Sequence, residues 1–174
     1  MKYIPRELEK QVVQAARHFP ALVLTGPRRA GKTMLLRRLF PKASYFLLED
    51  PDLVARLRAD PQGFLDAVKT PAIFDEMQHV PEVFAFIRSR IDRHPRRTGQ
   101  WLLTSSQEAP LMQGVTESMA GRAAVLQLLP LSTRETPKVT LLRGGYPEAL
   151  ARPGGRGCGS VPTCRPTWSG MFAR

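Results

Sequence analysis

ALVLTGPRRAGKTMLLRRLF, residues 21–40, is the stretch whose reading decides the fold. Its first six residues form a short continuous apolar run that ends on glycine, which predicts a buried strand. GPRRAGKT, residues 26–33, carries the spacing G-x-x-x-x-G-K-[ST] of a phosphate-binding loop. A helix is expected from Lys32 to Phe40, stopped by Pro41. The chemistry explains the pattern. Such a loop wraps a phosphate chain in backbone N–H groups, and Gly26 and Gly31 allow the tight turns and close approach this needs. Lys32 would set a cation on the β and γ phosphates, Thr33 would offer a hydroxyl to Mg²⁺, and the following helix would point its N-terminus at the anion. The expected nucleotide-binding stretch is therefore Gly26, Pro27, Arg28, Arg29, Ala30, Gly31, Lys32, Thr33 and Met34. Arg28 and Arg29 receive no separate role, since either contacts phosphate or solvent equally well.

Outward from the loop, strands and helices alternate. Residues 6–18 have the apolar spacing of an amphipathic helix (Leu8, Val12, and Ala15 or Ala16). SYFLLED (44–50) reads as a second strand, and helices near 51–59 and 61–68 each open on an Asp-Pro pair. PAIFDE (71–76) is a third strand, and residues 81–92 a helix with Val83, Phe84, Ile87 and Ile91 on one face. QWLLTSS (100–106) and AAVLQLLPL (123–131) are a fourth and a fifth strand, with a helix expected over about 109–118 between them. This alternation implies an α/β domain with a mostly parallel sheet covered by helices on both faces.

Three further segments complete the expected site. AIFDE (72–76) ends an apolar strand in two carboxylates: Asp75 would hold Mg²⁺, directly or through water, and Glu76 would orient and deprotonate an attacking water. TSSQ (104–107) sets hydroxyls at the carboxyl end of a strand, where open parallel sheets bind ligands, so Ser105 or Ser106 is a candidate contact to water or γ-phosphate. Gln78 and Gln107 read first as surface residues and second as polar support for it. Arg122, just before the fifth strand, is a candidate arginine finger toward a γ-phosphate in its own or a neighbouring subunit. Arg88, Arg90, Arg93, Arg96 and Arg97 form a basic cluster that reads first as a solvated face and second as a nucleic-acid contact.

Composition bounds the rest. The net charge is +11, and because the last 24 residues carry four arginines and no carboxylate, residues 1–150 keep +7 of it. That balance favours an anionic partner such as nucleotide phosphates, DNA or RNA. No apolar run approaches the roughly 20 residues that cross a bilayer, and the N-terminus lacks the apolar core of a secretory signal, so a cytoplasmic protein without a membrane partner is expected. Cys158 and Cys164 make neither a disulfide framework nor a four-ligand zinc site, and His18, His79 and His94 are scattered.

The blocks YIPRELE, LTGPRRAGKTMLLRRLF, DEMQHVPEVF, LLTSSQ, LMQGVTESMAGRAAVLQLLPLS and LLRGGYPEAL, in that order, resemble the bacterial and archaeal ATPases of the AAA superfamily that carry a C-terminal domain of unknown function. The resemblance spans roughly residues 3–150. It implies an AAA-type P-loop core with a five-stranded parallel sheet, ATP binding and Mg²⁺-dependent hydrolysis. Lys32 and Thr33 match the Walker A positions, Asp75 and Glu76 the Walker B positions, and Ser106 the sensor of a block that usually reads Thr-Gly-Ser-Gln. Ser105 departs from that glycine, which puts the geometry there in question. The expected organisation is an ATPase core over 1–135, the start of a shortened C-terminal domain over 136–156, and an irregular tail over 157–174. Read one base earlier, allowed codons for residues 158–174 spell WFRSYVQTYLERDVRE, similar to the opening helix of the family's C-terminal domain, so the tail is expected to be out-of-frame translation, the alternative being a genuine disordered basic tail. The loss of that domain would expose apolar surface around Leu141, Leu142 and Tyr146. Function is thus expected to be ATP hydrolysis. The alternatives are a nucleotide-binding module with negligible turnover and a nucleic-acid-binding protein switched by ATP; oligomerisation is compatible with each.

Overall fold

Five strands, β1 (Ala21–Thr25), β2 (Ser44–Leu47), β3 (Ala72–Asp75), β4 (Trp101–Ser105) and β5 (Ala123–Gln127), form one sheet in the order β2-β3-β4-β1-β5, and every pairing is parallel. The computed structural model describes residues 3–106, 119–141 and 144–151. The helix expected over 109–118, Gln107, Leu142 and the tail from 152 onward lie outside the described residues.

The three inner strands are buried along their length, which is why they read as unbroken apolar runs rather than as alternations. Alternate residues face opposite layers. On one side Ala21, Val23, Ala72, Phe74, Trp101 and Leu103 pack against α3 (Pro51–Ala59), α4 (Pro61–Ala67) and α5 (Val83–Arg93). Leu22, Leu24, Ile73 and Leu102 face the other side, where α1 (Glu9–His18) contributes Val12 and α2 (Lys32–Leu39) contributes Leu35 and Leu36. Both clusters need a helix cover to bury them, and the short crossovers of a parallel sheet supply one. Phe46, Phe64, Phe74 and Trp101 add a run of ring contacts, with centroids 5.0 Å apart for Phe46–Phe74 and 6.0 Å for Phe74–Trp101.

The Asp-Pro pairs open α3 and α4 as expected: Asp50 accepts from the Asp52 N–H at 3.0 Å, and Asp60 from the Gly63 N–H at 2.9 Å. Two strands are shorter than their sequence suggests. β2 ends at Leu47 because the Asp50 N–H turns back onto the Leu47 carbonyl at 3.1 Å. β5 ends at Gln127: the Leu128 N–H still reaches the Thr25 carbonyl at 2.8 Å, but beyond it Leu131 pairs with Gly145 instead of the sheet. A short helix, α6 (Pro147–Ala151), closes the described chain.

Candidate nucleotide site

The carboxyl ends of β1, β3 and β4 bring together what the sequence separates. The loop after β1 turns through Gly26 (φ 137°) and Gly31 (φ 99°) into α2. A side chain at Gly26 would put its Cβ 2.1 Å from the Leu128 carbonyl oxygen, so only glycine lets β5 leave the sheet beside the loop. The Lys32 ammonium folds back across the loop and donates to the carbonyls of Gly26 (2.8 Å) and Pro27 (3.1 Å). Burial pushes its pKa down, and the nearby charges of Glu76 and Asp75 only partly oppose this. An anion seated in the loop would complete the compensation.

Thr33, one residue on, donates its hydroxyl to the Asp75 carboxylate at 2.8 Å (Oδ2). Asp75 also accepts from Tyr45 Oη at 2.8 Å and from the Thr104 hydroxyl. An all-oxygen set of one hydroxyl and one carboxylate at the mouth of a phosphate loop suits a hard divalent cation, so these residues fit Mg²⁺. Glu76 follows with a left-handed backbone (φ 62°), an uncommon conformation for a residue with a side chain, held by its N–H on Thr104 Oγ1 at 3.1 Å. Its Oε2 accepts from Ser106 Oγ at 2.8 Å and from Gln78 Nε2. Burial alone would raise the Glu76 pKa, but the hydrogen bonds from Gln78 and Ser106, with Lys32 and Arg28 nearby, outweigh it and leave the carboxyl below its ordinary range. Ser105, the departure from the expected glycine, is the buried last residue of β4 and donates to Gln78 Oε1 at 2.8 Å.

Phosphate loop, strand order and paired carboxylates thus coincide, and a family model described as AAA domain matches residues 18–136. The chain belongs to the AAA domain family. Its fold is that of an AAA-type P-loop domain. It is 33% identical over 151 residues to uncharacterized proteins of Mycobacterium bovis (Mb2031c) and Mycobacterium tuberculosis (Rv2008c), covering 83% of this chain and 34% of each relative. The chain therefore spans about a third of the length of these curated relatives. Among solved structures, the Walker-type ATPase PABY2304 of Pyrococcus abyssi superposes with a TM-score of 0.53 at 18% identity, over 76% of this chain and 55% of that one. That likeness bears on the fold alone.

Within this AAA domain, other expected residues fall elsewhere. Arg28 pairs with Glu49, and Arg29 reaches Glu148 of α6 at 2.9 Å; both arginines are exposed. Met34 is exposed and borders an apolar cleft with Tyr3, Ile4, Leu131 and Pro147, directly beside Ala30 and Gly31. Arg122 is not brought to the loop of its own chain. It precedes β5 at the amino edge of the sheet, where its carbonyl accepts from the Ala21 N–H at 3.1 Å and its guanidinium pairs with Asp92 at 2.6 Å. What is left of that expectation is a contact with a neighbouring copy. Arg88, Arg93, Arg96 and Arg97 are exposed near the same edge, and Arg90 is tied to Asp66 at 2.6 Å. Among the described residues no helix is long and apolar enough to cross a membrane, and no three His, Cys, Asp or Glu residues gather as a metal site.

Sequence reasoning missed Tyr45, Thr104 and Arg6. Tyr45 pairs with Ile73 in register, so Asp75 is its diagonal cross-strand neighbour; that follows from the sequence only once β2 is known to lie beside β3. Arg6 is buried and donates to Ala30 of the loop at 2.9 Å, to Leu129 at 2.5 Å and to Glu135 at 2.8 Å. Nothing in the helical spacing of residues 6–18 marks it, because α1 starts only at Glu9.

Proposed function

We propose that this chain binds Mg-ATP at residues 26–33 and hydrolyses it to ADP and phosphate. The observation that carries the proposal is the meeting of Thr33 with Asp75 and of Glu76 with Ser106 at one end of the sheet. The loop N–H groups and Lys32 would bind the phosphates, and the apolar cleft of Tyr3, Ile4, Met34 and Leu131 would take the base. Mg²⁺, held by Thr33 and Asp75, would neutralise charge developing on the phosphate oxygens. Among the described residues Glu76 engages Oε2 alone, on Ser106 and Gln78, and Oε1 would be the atom that accepts a proton from water. A carboxylate held this acidic is a weak proton acceptor, so orienting the water is the larger part of its contribution. Its ionised form persists through neutral pH, and turnover is expected to fall only as the pH drops through its depressed pKa. Arg122 would act only from a neighbouring copy; turnover per chain that is independent of protein concentration removes it from the mechanism.

Calorimetry and phosphate release test this reading. Lys32→Ala is expected to lose nucleotide binding, whereas Glu76→Gln keeps binding and loses about a hundredfold or more in turnover. Equal hydrolysis by wild type and Glu76→Gln would sink the assignment.

A further inference from the structure

The geometry points to Gln78 as a positioning residue that locks the Glu76 carboxylate to the hydroxyls of Ser105 and Ser106, at and just after the end of β4, and decides which carboxylate oxygen faces water. The inference rests on Glu76 acting on the attacking water, as proposed above.

Gln78 lies in the 3₁₀ turn Met77–His79 that follows Glu76 directly. Met77 and Val80 are buried in the core and anchor that turn, so the amide is held over Glu76 rather than swinging in solvent. Its Nε2 donates to Glu76 Oε2 and to Ser106 Oγ at 3.0 Å, while Oε1 accepts from Ser105 Oγ at 2.8 Å. Ser106 in turn donates to Glu76 Oε2 at 2.8 Å. Each proton in this ring is used once. A carboxylate only accepts, so the ring closes in one amide orientation; turned over, the amide would set its own oxygen against Glu76. Two donors on one oxygen pin the carboxylate rotation and leave Oε1 without a partner among the described residues. Glutamate in place of Gln78 has the same shape but no donor. Leucine has neither donor nor acceptor. Ser105 acts one step further out, by fixing the amide.

The test splits kcat from KM for ATP in the wild-type chain, Gln78→Leu, Gln78→Glu and Ser105→Ala, with calorimetric nucleotide affinity as the readout that needs no turnover. Gln78→Leu is expected to lose about ten- to a hundredfold in kcat, with KM and affinity within about twofold. Gln78→Glu, which keeps the shape and loses the donor, falls at least as far, and Ser105→Ala falls by less. A kcat that matches wild type in the isosteric Gln78→Glu overturns the inference even if Gln78→Leu fails to fold. A KM rise with unchanged kcat overturns it as well. Glu76→Gln that hydrolyses like wild type overturns the general-base reading instead.

Discussion

Asp75 is the residue on which most of the site converges. It accepts from Thr33, Tyr45 and Thr104, which come from three different elements. Burial and the hydrogen bond to Asp75 push the Tyr45 phenol well above its ordinary range, so it remains a donor at any working pH. Tyr45→Phe removes that donor and little volume. The Mg²⁺ concentration for half-maximal nucleotide binding is expected to rise about tenfold, as when a group that orients a metal ligand is lost, with the melting temperature nearly unchanged. An unaltered Mg²⁺ dependence would show that Thr33 and Thr104 suffice. At this scale the sequence was legible where chemistry forces residue types into fixed spacing: Lys32 and Thr33 six and seven positions after Gly26, Asp75 and Glu76 at the end of an apolar strand. Tyr45, Thr104 and Arg6 were not, because their contacts come from strand register and a buried tether.

Elements were legible where punctuation accompanies periodicity. The Asp-Pro pairs located α3 and α4 to within a residue, because Pro supplies the first-turn φ and Asp the cap. Asp60→Ala is expected to cost about 1 kcal/mol, lowering the melting temperature by several degrees while nucleotide affinity holds; differential scanning calorimetry with and without nucleotide separates the two. Strand ends were less legible. LEDPD after β2 and LLPL after β5 read as strand continuations, but a local turn (Asp50 onto Leu47) ends the first strand and a longer-range pairing (Leu131 onto Gly145) the second. Gly26→Ala belongs at this scale too, since it collides with the exit of β5 rather than with a ligand. It should lower stability as well as nucleotide binding, and a variant with wild-type melting behaviour would contradict the crowding seen there.

For the whole molecule, the ion pair of Arg6 and Glu135 joins the start of the chain to the segment after β5, with the phosphate loop between them. Both side chains are almost fully buried, so Arg6→Ala leaves an unpaired carboxylate and is expected to cost about 3 kcal/mol. Burial pushes the Glu135 pKa up, but Arg6 and the N–H groups of Ser132 and Glu7 outweigh it and hold it low. Unfolded chains therefore bind the proton more readily, and this contribution, full above about pH 4.3, is lost as the pH falls through the depressed folded value. A melting temperature that declines in acid for wild type and less steeply for Glu135→Gln checks the sign. Parallel α/β architecture was legible from alternation alone, whereas strand order was not, because hydrophobic runs do not name their neighbours. That order has a consequence for synthesis. β1, which carries the phosphate loop, leaves the ribosome well before either of its neighbours: Ala21 pairs with Trp101 and Ala123. Until β4 and β5 have emerged, an apolar strand with two open edges waits beside a loop that cannot close, and in that interval the nascent chain is most exposed to chaperones and to aggregation.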